Sequence, residues 1–229
     1  YHNIDELEKE KIEIIINCAV NYGREKTSDL IESNILLPTK LLDMFEKTIK
    51  LFITFDSFYT KFEKNPLIKY SASKNQIRHW YMYYDNLKIL NLKLEHVYGK
   101  NDSEKKFIPW LIDGMLKNKT INLSECTQKR DFIHVDEIIK LLPEVIEKVD
   151  KFSNGITNIE VGTGKSIEIK SFVLTLLRVT KSNSKIIFGS KKFKDEIEDS
   201  FSDCNTIPKF INWIPETNIK IGLKKTLNK

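Results

Sequence analysis

Cysteine is scarce, with three residues in 229 (Cys18, Cys126 and Cys204), an odd and widely spaced set without a CxxC pair. That pattern excludes a disulfide framework, argues against a zinc site, and fits a reducing, cytoplasmic compartment. Long apolar runs are missing as well. The longest, such as Ile14-Ile15-Ile16 and Ile35-Leu36-Leu37, fall far short of the roughly 20 residues that cross a bilayer, so no membrane partner is expected. No signal-peptide pattern opens the chain. There is no internal repeat, no low-complexity segment and no linker rich in Pro, Gly or Ser. No His, Cys and carboxylate cluster has metal-ligand spacing. Charge of one sign does not dominate either. The 37 Lys+Arg exceed the 32 Asp+Glu by five, too mild an excess to point to nucleic acid.

What is present suits a folded chain: 41% hydrophobic and 30% charged residues, and a length for one large domain or two small ones. A charged helical stretch is expected over Asp5–Glu13, then a doubly covered strand over Ile12–Ala19. Helical periodicity runs over Asp29–Lys50, with Pro38 predicting a kink or an irregular start. Strands follow at Leu51–Phe55 and Ile89–Leu94, separated by an aromatic helix over Tyr70–Leu87. Further along, helices are expected at Phe107–Lys117, Val135–Lys151 and Ile167–Thr180, an extended piece at Asp131–Val135, and a strand at Asn158–Val161. After Lys185 come short strands and a terminal helix. Strands alternating with amphipathic helices predict an α/β fold built on a parallel sheet.

The most informative segment is Tyr70-Ser-Ala-Ser-Lys74. Spacing i,i+4 puts a phenol and an ammonium on one helix face, their Cβ atoms about 6 Å apart. A lysine there is expected to lower the tyrosine pKa from about 10 toward neutrality, which suits a general acid or base. That spacing is common by itself, so its neighbours carry the weight. They are Leu51-Phe-Ile-Thr-Phe55, Asp56-Ser-Phe-Tyr59, Leu94-Glu-His-Val-Tyr-Gly99, Phe107-Ile-Pro-Trp110, Lys129-Arg-Asp-Phe-Ile-His-Val-Asp136, Glu160-Val-Gly-Thr-Gly164, Ile211-Asn-Trp-Ile-Pro215 and Gly222-Leu-Lys-Lys225.

In this order and at these spacings the chain resembles the extended short-chain dehydrogenase/reductase family, the nucleotide-sugar epimerases, dehydratases and reductases. Its wording is most similar to the CDP-sugar 4-ketoreductases and epimerases of surface-polysaccharide pathways. The resemblance implies a Rossmann-like doubly wound sheet with a small C-terminal α/β lobe for the sugar nucleotide. It divides the chain into an NAD(P)-binding part, residues 1–135, and a returning part with the substrate lobe, residues 136–229. It implies hydride transfer between NAD or NADP and hexose C4, as 4-keto reduction or 4-epimerisation of a nucleotide sugar. Tyr70 becomes the acid/base and Lys74 its partner and ribose anchor. Cys18, Ala19, Val20, Asn34 and Glu95 would lie at the cofactor; His96, Arg130 and Lys194 would lie at the substrate.

Three departures stand out. The family's glycine-rich strand–turn–helix, which cradles the pyrophosphate, is not among these residues, and the chain opens on Tyr1 rather than Met. Either a fragment or a protein impaired as an oxidoreductase is therefore expected, and the chain as given is expected to bind NAD(P) poorly. Phe55 stands where the family has a catalytic Ser or Thr. Thr54 should face the other side of the strand, whereas Ser57 shares the parity of Phe55 and is the expected third catalytic group. Lys194 replaces an arginine with a point charge. Asp56 is followed by Ser57 rather than Glu, which argues against 4,6-dehydration.

Alternatives are a non-catalytic partner subunit that kept the fold for association, and a nucleic-acid module using aromatics. The run His79-Trp-Tyr-Met-Tyr-Tyr84 could stack on bases, but Ile77, Trp80, Tyr81, Tyr84 and Leu87 keep helical spacing and favour a core or dimer face. A homodimer formed through Asp29–Lys50 and Tyr70–Leu87 is expected, following the family. Gly162-Thr-Gly-Lys-Ser166 resembles the end of a phosphate-binding P-loop, but Ile159 stands where the motif needs its first glycine.

Overall fold

The computed structural model describes residues 4, 10–23, 26–192 and 197–227. In chain order its strands are β1 (Ile14–Asn17), β2 (Leu51–Ser57), β3 (Lys88–Leu94), β4 (His96–Tyr98), β5 (Ile121–Asn122), β6 (Lys129–Arg130), β7 (Phe132–His134), β8 (Gly155–Val161), β9 (Ile167–Glu168), β10 (Ile186–Ile187) and β11 (Asp199–Ser200). Its α-helices are α1 (Thr27–Ile31), α2 (Leu37–Phe45), α3 (Ile68–Tyr81), α4 (Phe107–Leu116), α5 (Val135–Glu147), α6 (Ile169–Thr180) and α7 (Ile219–Leu227). No helix among the described residues is long and apolar enough to cross a membrane.

The chain packs as two compact units. One takes the chain up to Leu94 and adds Glu144–Glu160 and Thr206–Ile211. The other takes Glu95–Pro143, Val161–Asn205 and Asn212 onward. The boundary expected at 135/136 falls inside the segment Glu95–Pro143 of the second unit.

The first unit is built on a sheet of order β1-β2-β3-β8, a Rossmann-like arrangement in which β1, β2 and β3 are parallel. Strands β2 and β3 are covered on both faces, whereas β1, expected to be doubly covered, leaves Ile16 39% exposed and β8 carries Asn158 and Glu160. Leu51, Phe52, Ile53, Ile89, Leu90 and Leu92 are all buried. Leu42 and Phe45 of α2, with Ile77 and Tyr81 of α3, join Phe52 and Ile89 in one core.

The irregular start expected at Pro38 is a π-helical turn, Glu32–Leu36, set between α1 and α2. Proline has no N–H to give and its ring crowds the carbonyl four residues back, here that of Asn34; the wider turn accommodates both. Two other expectations need correction. Glu10–Glu13 is not helical, and Asp5–Lys9 lies outside the described residues. Helix α3 stops at Tyr81 rather than Leu87, since the N–H groups of Met82, Tyr83 and Tyr84 turn back to carbonyls only three residues behind. The aromatic spacing outlasts the helix: Tyr84 leaves it and donates its hydroxyl to Asp43 Oδ1 at 2.6 Å.

The second unit is assembled from short ladders. Strand β4 pairs in parallel with β7, while β6 lies between β11, parallel, and β9, antiparallel. Its core gathers Tyr98, Leu111, Met115, Phe132, Phe172, Val173, Leu176 and Leu223. Phe132 and Phe172 stack at 4.0 Å between centroids. Helix α7 closes over this core at Gly222, where any side chain would strike Tyr98.

Candidate active site

In parallel α/β sheets, ligand chemistry gathers at the carboxyl ends of the strands. The carboxyl end of β2 carries three consecutive residues with three different tasks. The carbonyl of Phe55 accepts from Lys74 Nζ at 2.8 Å. The carboxylate of Asp56 accepts from the Ser57 N–H at 2.7 Å and from the Thr60 hydroxyl at 3.1 Å. The hydroxyl of Ser57 accepts from the Tyr59 N–H at 3.4 Å and lies close enough to the phenol of Tyr70 to favour its ionised form. Thr54 points the other way, into the core, where Tyr81 donates to its Oγ1 at 3.4 Å. Strand alternation therefore sets Ser57, and not Thr54, against the phenol.

Tyr70 and Lys74 share a face of α3, and the ammonium lies 5.8 Å from the phenol ring centroid. The expected lowering of the phenol pKa is not what the surroundings produce. Burial pushes the Tyr70 pKa well above its ordinary value, with the nearby Ser57 hydroxyl pulling back. Spacing placed the lysine near the ring, but its ammonium is bound to Phe55. Burial also pulls Lys74 down to about 8, against the field of Asp56, which holds it up. Lys74 is 7% exposed and Asp56 5% exposed, so neither charge has water to screen it.

Beyond this cluster the same end of the sheet holds Lys61 and Lys93, which pair with Glu160 at 2.8 and 3.9 Å. Burial lowers the Lys93 pKa, opposed by Asp56 and Glu160.

The loop after β1 holds Cys18, Ala19 and Val20, with Cys18 and Val20 exposed. Asn34 ties this loop to α3. It accepts from the Asn21 N–H at 2.9 Å and donates to the Asn21 carbonyl at 2.8 Å and to Ser73 Oγ at 3.0 Å. So held, the loop lays Tyr22 against Tyr70, ring centroids 4.9 Å apart. Asn34 is thus a buried strut of the loop. Tyr22 and Ser73 were not legible as site residues, because only the fold brings them to α3.

The remaining candidates lie in the second unit. Glu95 is buried and accepts from Ser200 Oγ at 2.8 Å. His96 packs edge-on to Phe132, and burial, with the charges of Arg130 and Lys106, pulls its pKa down to about 3, so the imidazole is neutral. Arg130 is buried and donates from Nη1 to the Lys129 carbonyl at 2.6 Å. Lys194 lies outside the described residues.

Asp131, which sequence reasoning passed over, is the most connected group of this unit. Wholly buried, it accepts from the N–H groups of Thr163 and Gly164 at 2.9 Å and of Ser202 at 3.2 Å, and from the hydroxyls of Thr163 and Ser202. The P-loop-like segment therefore spends its amides on an internal carboxylate instead of a phosphate. Gly164 sits at φ 73°, a left-handed conformation that glycine adopts freely.

Comparison with known proteins gives the family of this Rossmann-like chain. The model of the NAD dependent epimerase/dehydratase family matches residues 2–160. The chain belongs to this family. It is 36% identical over 242 residues to the CDP-abequose synthase of Salmonella muenchen, covering 99% of this chain and 81% of that protein. Against the CDP-abequose synthase of Salmonella typhimurium the identity is 34%, over 94% of this chain and 75% of the relative. Among solved structures of the family's fold, a UDP-glucuronic acid 4-epimerase from Bacillus cereus, in complex with UDP-glucuronic acid and NAD, superposes with a TM-score of 0.83 at 20% identity, covering 97% of this chain and 76% of that one. A UDP-N-acetylglucosamine 4-epimerase from Methanobrevibacter ruminantium gives 0.82 at 21% identity, covering 96% and 78%. As a member of the epimerase/dehydratase family, the chain is an NAD-dependent type of enzyme with a Rossmann-like fold.

Proposed function

We propose that this protein is an NAD(P)-dependent nucleotide-sugar oxidoreductase acting at hexose C4, and that its reaction is reduction of a 4-keto CDP-sugar in surface-polysaccharide synthesis. The observation that carries this reading is the juxtaposition of Ser57 at the carboxyl end of β2, Tyr70 of α3 and the buried Lys74 anchored on the Phe55 carbonyl. The identity to two CDP-abequose synthases supports a CDP-sugar as the substrate class.

The residues present fit the nicotinamide–ribose end of a dinucleotide. Lys74 and Tyr70 offer a donor and a hydroxyl to a ribose diol, and exposed Cys18 and Val20, with Ala19, give a flat ring an apolar lip. When bound, NAD(P) supplies the hydride at C4. Tyr70 then holds the proton that the C4 oxygen takes. A phenol kept protonated by burial serves as an acid in this direction. Ser57 orients the same oxygen, and Lys74 binds the ribose while steadying charge that develops on the phenol. Asn34 keeps the loop that shapes this end in place.

In our reading residues 1–135 serve the cofactor, and residues 136–229 contribute the sugar-nucleotide lobe. Glu95 is assigned beside the nicotinamide, with His96, Arg130 and Lys194 on the nucleotide diphosphate, where a guanidinium fork and a neutral imidazole suit phosphate oxygens. We further assign a homodimer through α2 and α3, supported by Leu36, Trp80, Met82 and the 80% exposed Tyr83, large apolar side chains facing solvent at those helices. Three free cysteines suit work in the cytoplasm.

The test is turnover. Loss of reduced-nicotinamide absorbance on adding a 4-keto CDP-sugar, with a 4-hydroxy CDP-sugar as the product, is the expected result. Failure to oxidise either NADH or NADPH with any 4-keto nucleotide sugar overturns the reading.

A further inference from the structure

Asp56 sits beside the groups that would move the proton, yet the reading above gives it no part. A carboxylate in the parity of Thr54 faces inward, where an ionised group is costly without partners. Both of its oxygens are engaged: Oδ1 by the Ser57 N–H, and Oδ2 by the Thr60 hydroxyl and, at 3.5 Å, by Asn91 Nδ2. Thr60 also donates to the Ser57 carbonyl at 2.8 Å, so the turn that follows the strand closes around Ser57. On the other side, the carbonyl that anchors Lys74 belongs to the peptide joining Phe55 to Asp56. Oriented this way, the carboxylate accepts from a backbone amide and two neutral side chains and is not aimed as a proton donor.

We propose that Asp56 is a positioning residue: its carboxylate fixes the backbone of Ser57 against Tyr70 and, as a buried counter-charge, keeps the Lys74 ammonium seated on the Phe55 carbonyl. The inference deepens the proposed function and rests on it for its kinetic part only. The titratable groups that feel this carboxylate are Tyr70, Lys74 and Tyr81 from α3 and Lys93 from β3, and Lys93 in turn feels Glu160, Lys61 and Arg78. Lys93 answers to Glu160 as well as to Asp56, and pairs with Glu160 alongside Lys61, whereas the carboxylate that Lys74 answers to is Asp56.

The experiment compares wild type, Asp56→Asn and Thr60→Val as full chains. The Lys74 Nζ titration is followed by NMR in 15N-lysine protein, assigned with Lys74→Met, alongside kcat, KM and their pH profiles. Asn keeps an acceptor for the Ser57 N–H but removes the charge. It is expected to move the Lys74 titration about one pH unit lower. It should lower kcat about tenfold or more with KM for the nucleotide sugar little changed, and draw the alkaline limb of the kcat profile down with the lysine. Thr60→Val keeps the charge and loosens Ser57, so kcat should fall several-fold while the Lys74 titration stays put. An Asp56→Asn protein with wild-type kcat, or with Lys74 titrating as in wild type, overturns the proposal. If Asp56→Asn does not fold, Thr60→Val decides: wild-type kcat there overturns it. The titration needs no substrate, so inactivity of the wild type would sink the proposed function and still leave this arm to judge Asp56.

Discussion

Lys74 gives its ammonium to the carbonyl of Phe55 at 2.8 Å, so the lysine is tied to the strand and not to the phenol one helical turn before it. The phenol of Tyr70 instead finds Ser57. The hydroxyls of Ser57 and Tyr70 and the separately anchored cation can thus each be tested alone.

Tyr70→Phe should abolish turnover of a 4-keto nucleotide sugar, with a loss of at least about 10²-fold, and leave cofactor affinity nearly intact. The ring still packs against Tyr22, so the fold should survive. Steady-state kinetics with a cofactor titration checks both halves.

Ser57→Ala should slow the reaction about tenfold or more, whereas Thr54→Val should leave the rate unchanged, because Thr54 faces Tyr81 in the core. The opposite pattern in a side-by-side rate measurement would show that the hydroxyl on the buried face does the work.

Lys74 also leaves a signature in stability. Its folded pKa of about 8 lies below the ordinary 10.5, so at neutral pH the lysine is charged both folded and unfolded and its burial is a standing cost. Between those two values the unfolded chain binds a proton that the native one has lost, and stability rises with pH. Relative to Lys74→Met, wild type should gain about 3 kcal/mol as pH climbs through that window, and nothing below it. Denaturant melts of the two proteins across alkaline pH measure the difference.

Asp131→Ala should destabilise the protein by at least about 2 kcal/mol, since it strands the amides of Thr163, Gly164 and Ser202 together. Asp131→Asn should cost less, because one amide oxygen still accepts. Thermal unfolding ranks the three.

Tyr83→Asp paired with Trp80→Asp should convert a dimer to a monomer with the fold unchanged, as read by sedimentation at micromolar concentration. Both side chains are exposed on the isolated chain, so their loss has little core to disturb.

Much of this was written in periodicity. The apolar runs at β2 and β3 and the amphipathic spacing of α4 and α6 matched the observed elements to within a few residues, since each is decided by burial of its own side chains. The aromatic stretch overran because Tyr84 and Leu87 keep a helical rhythm after the helix has ended. Side-chain alternation along one strand was enough to separate Ser57 from Thr54. What escaped was everything fixed by a partner distant in the chain. The i,i+4 step says that Lys74 is near Tyr70 but not which carbonyl takes its proton, and nothing local to Gly162-Thr-Gly164 reveals that Asp131 fills it. Burial reversed the expected phenol shift for the same reason, as desolvation belongs to the assembled core.

The widened turn over Glu32–Leu36 works as a phase corrector. One extra residue is absorbed there, so that Asn34 meets Asn21 and Ser73 while Leu41, Leu42 and Phe45 still meet the sheet. An ordinary α-helix advances about 100° per residue. Deleting a single residue from this turn would regularise the helix and rotate everything upstream by about that angle against everything downstream. Either the strut to the cofactor loop or the seam with the sheet would then come out of alignment. Length at this point is accordingly a constraint of its own, independent of which side chains the turn carries.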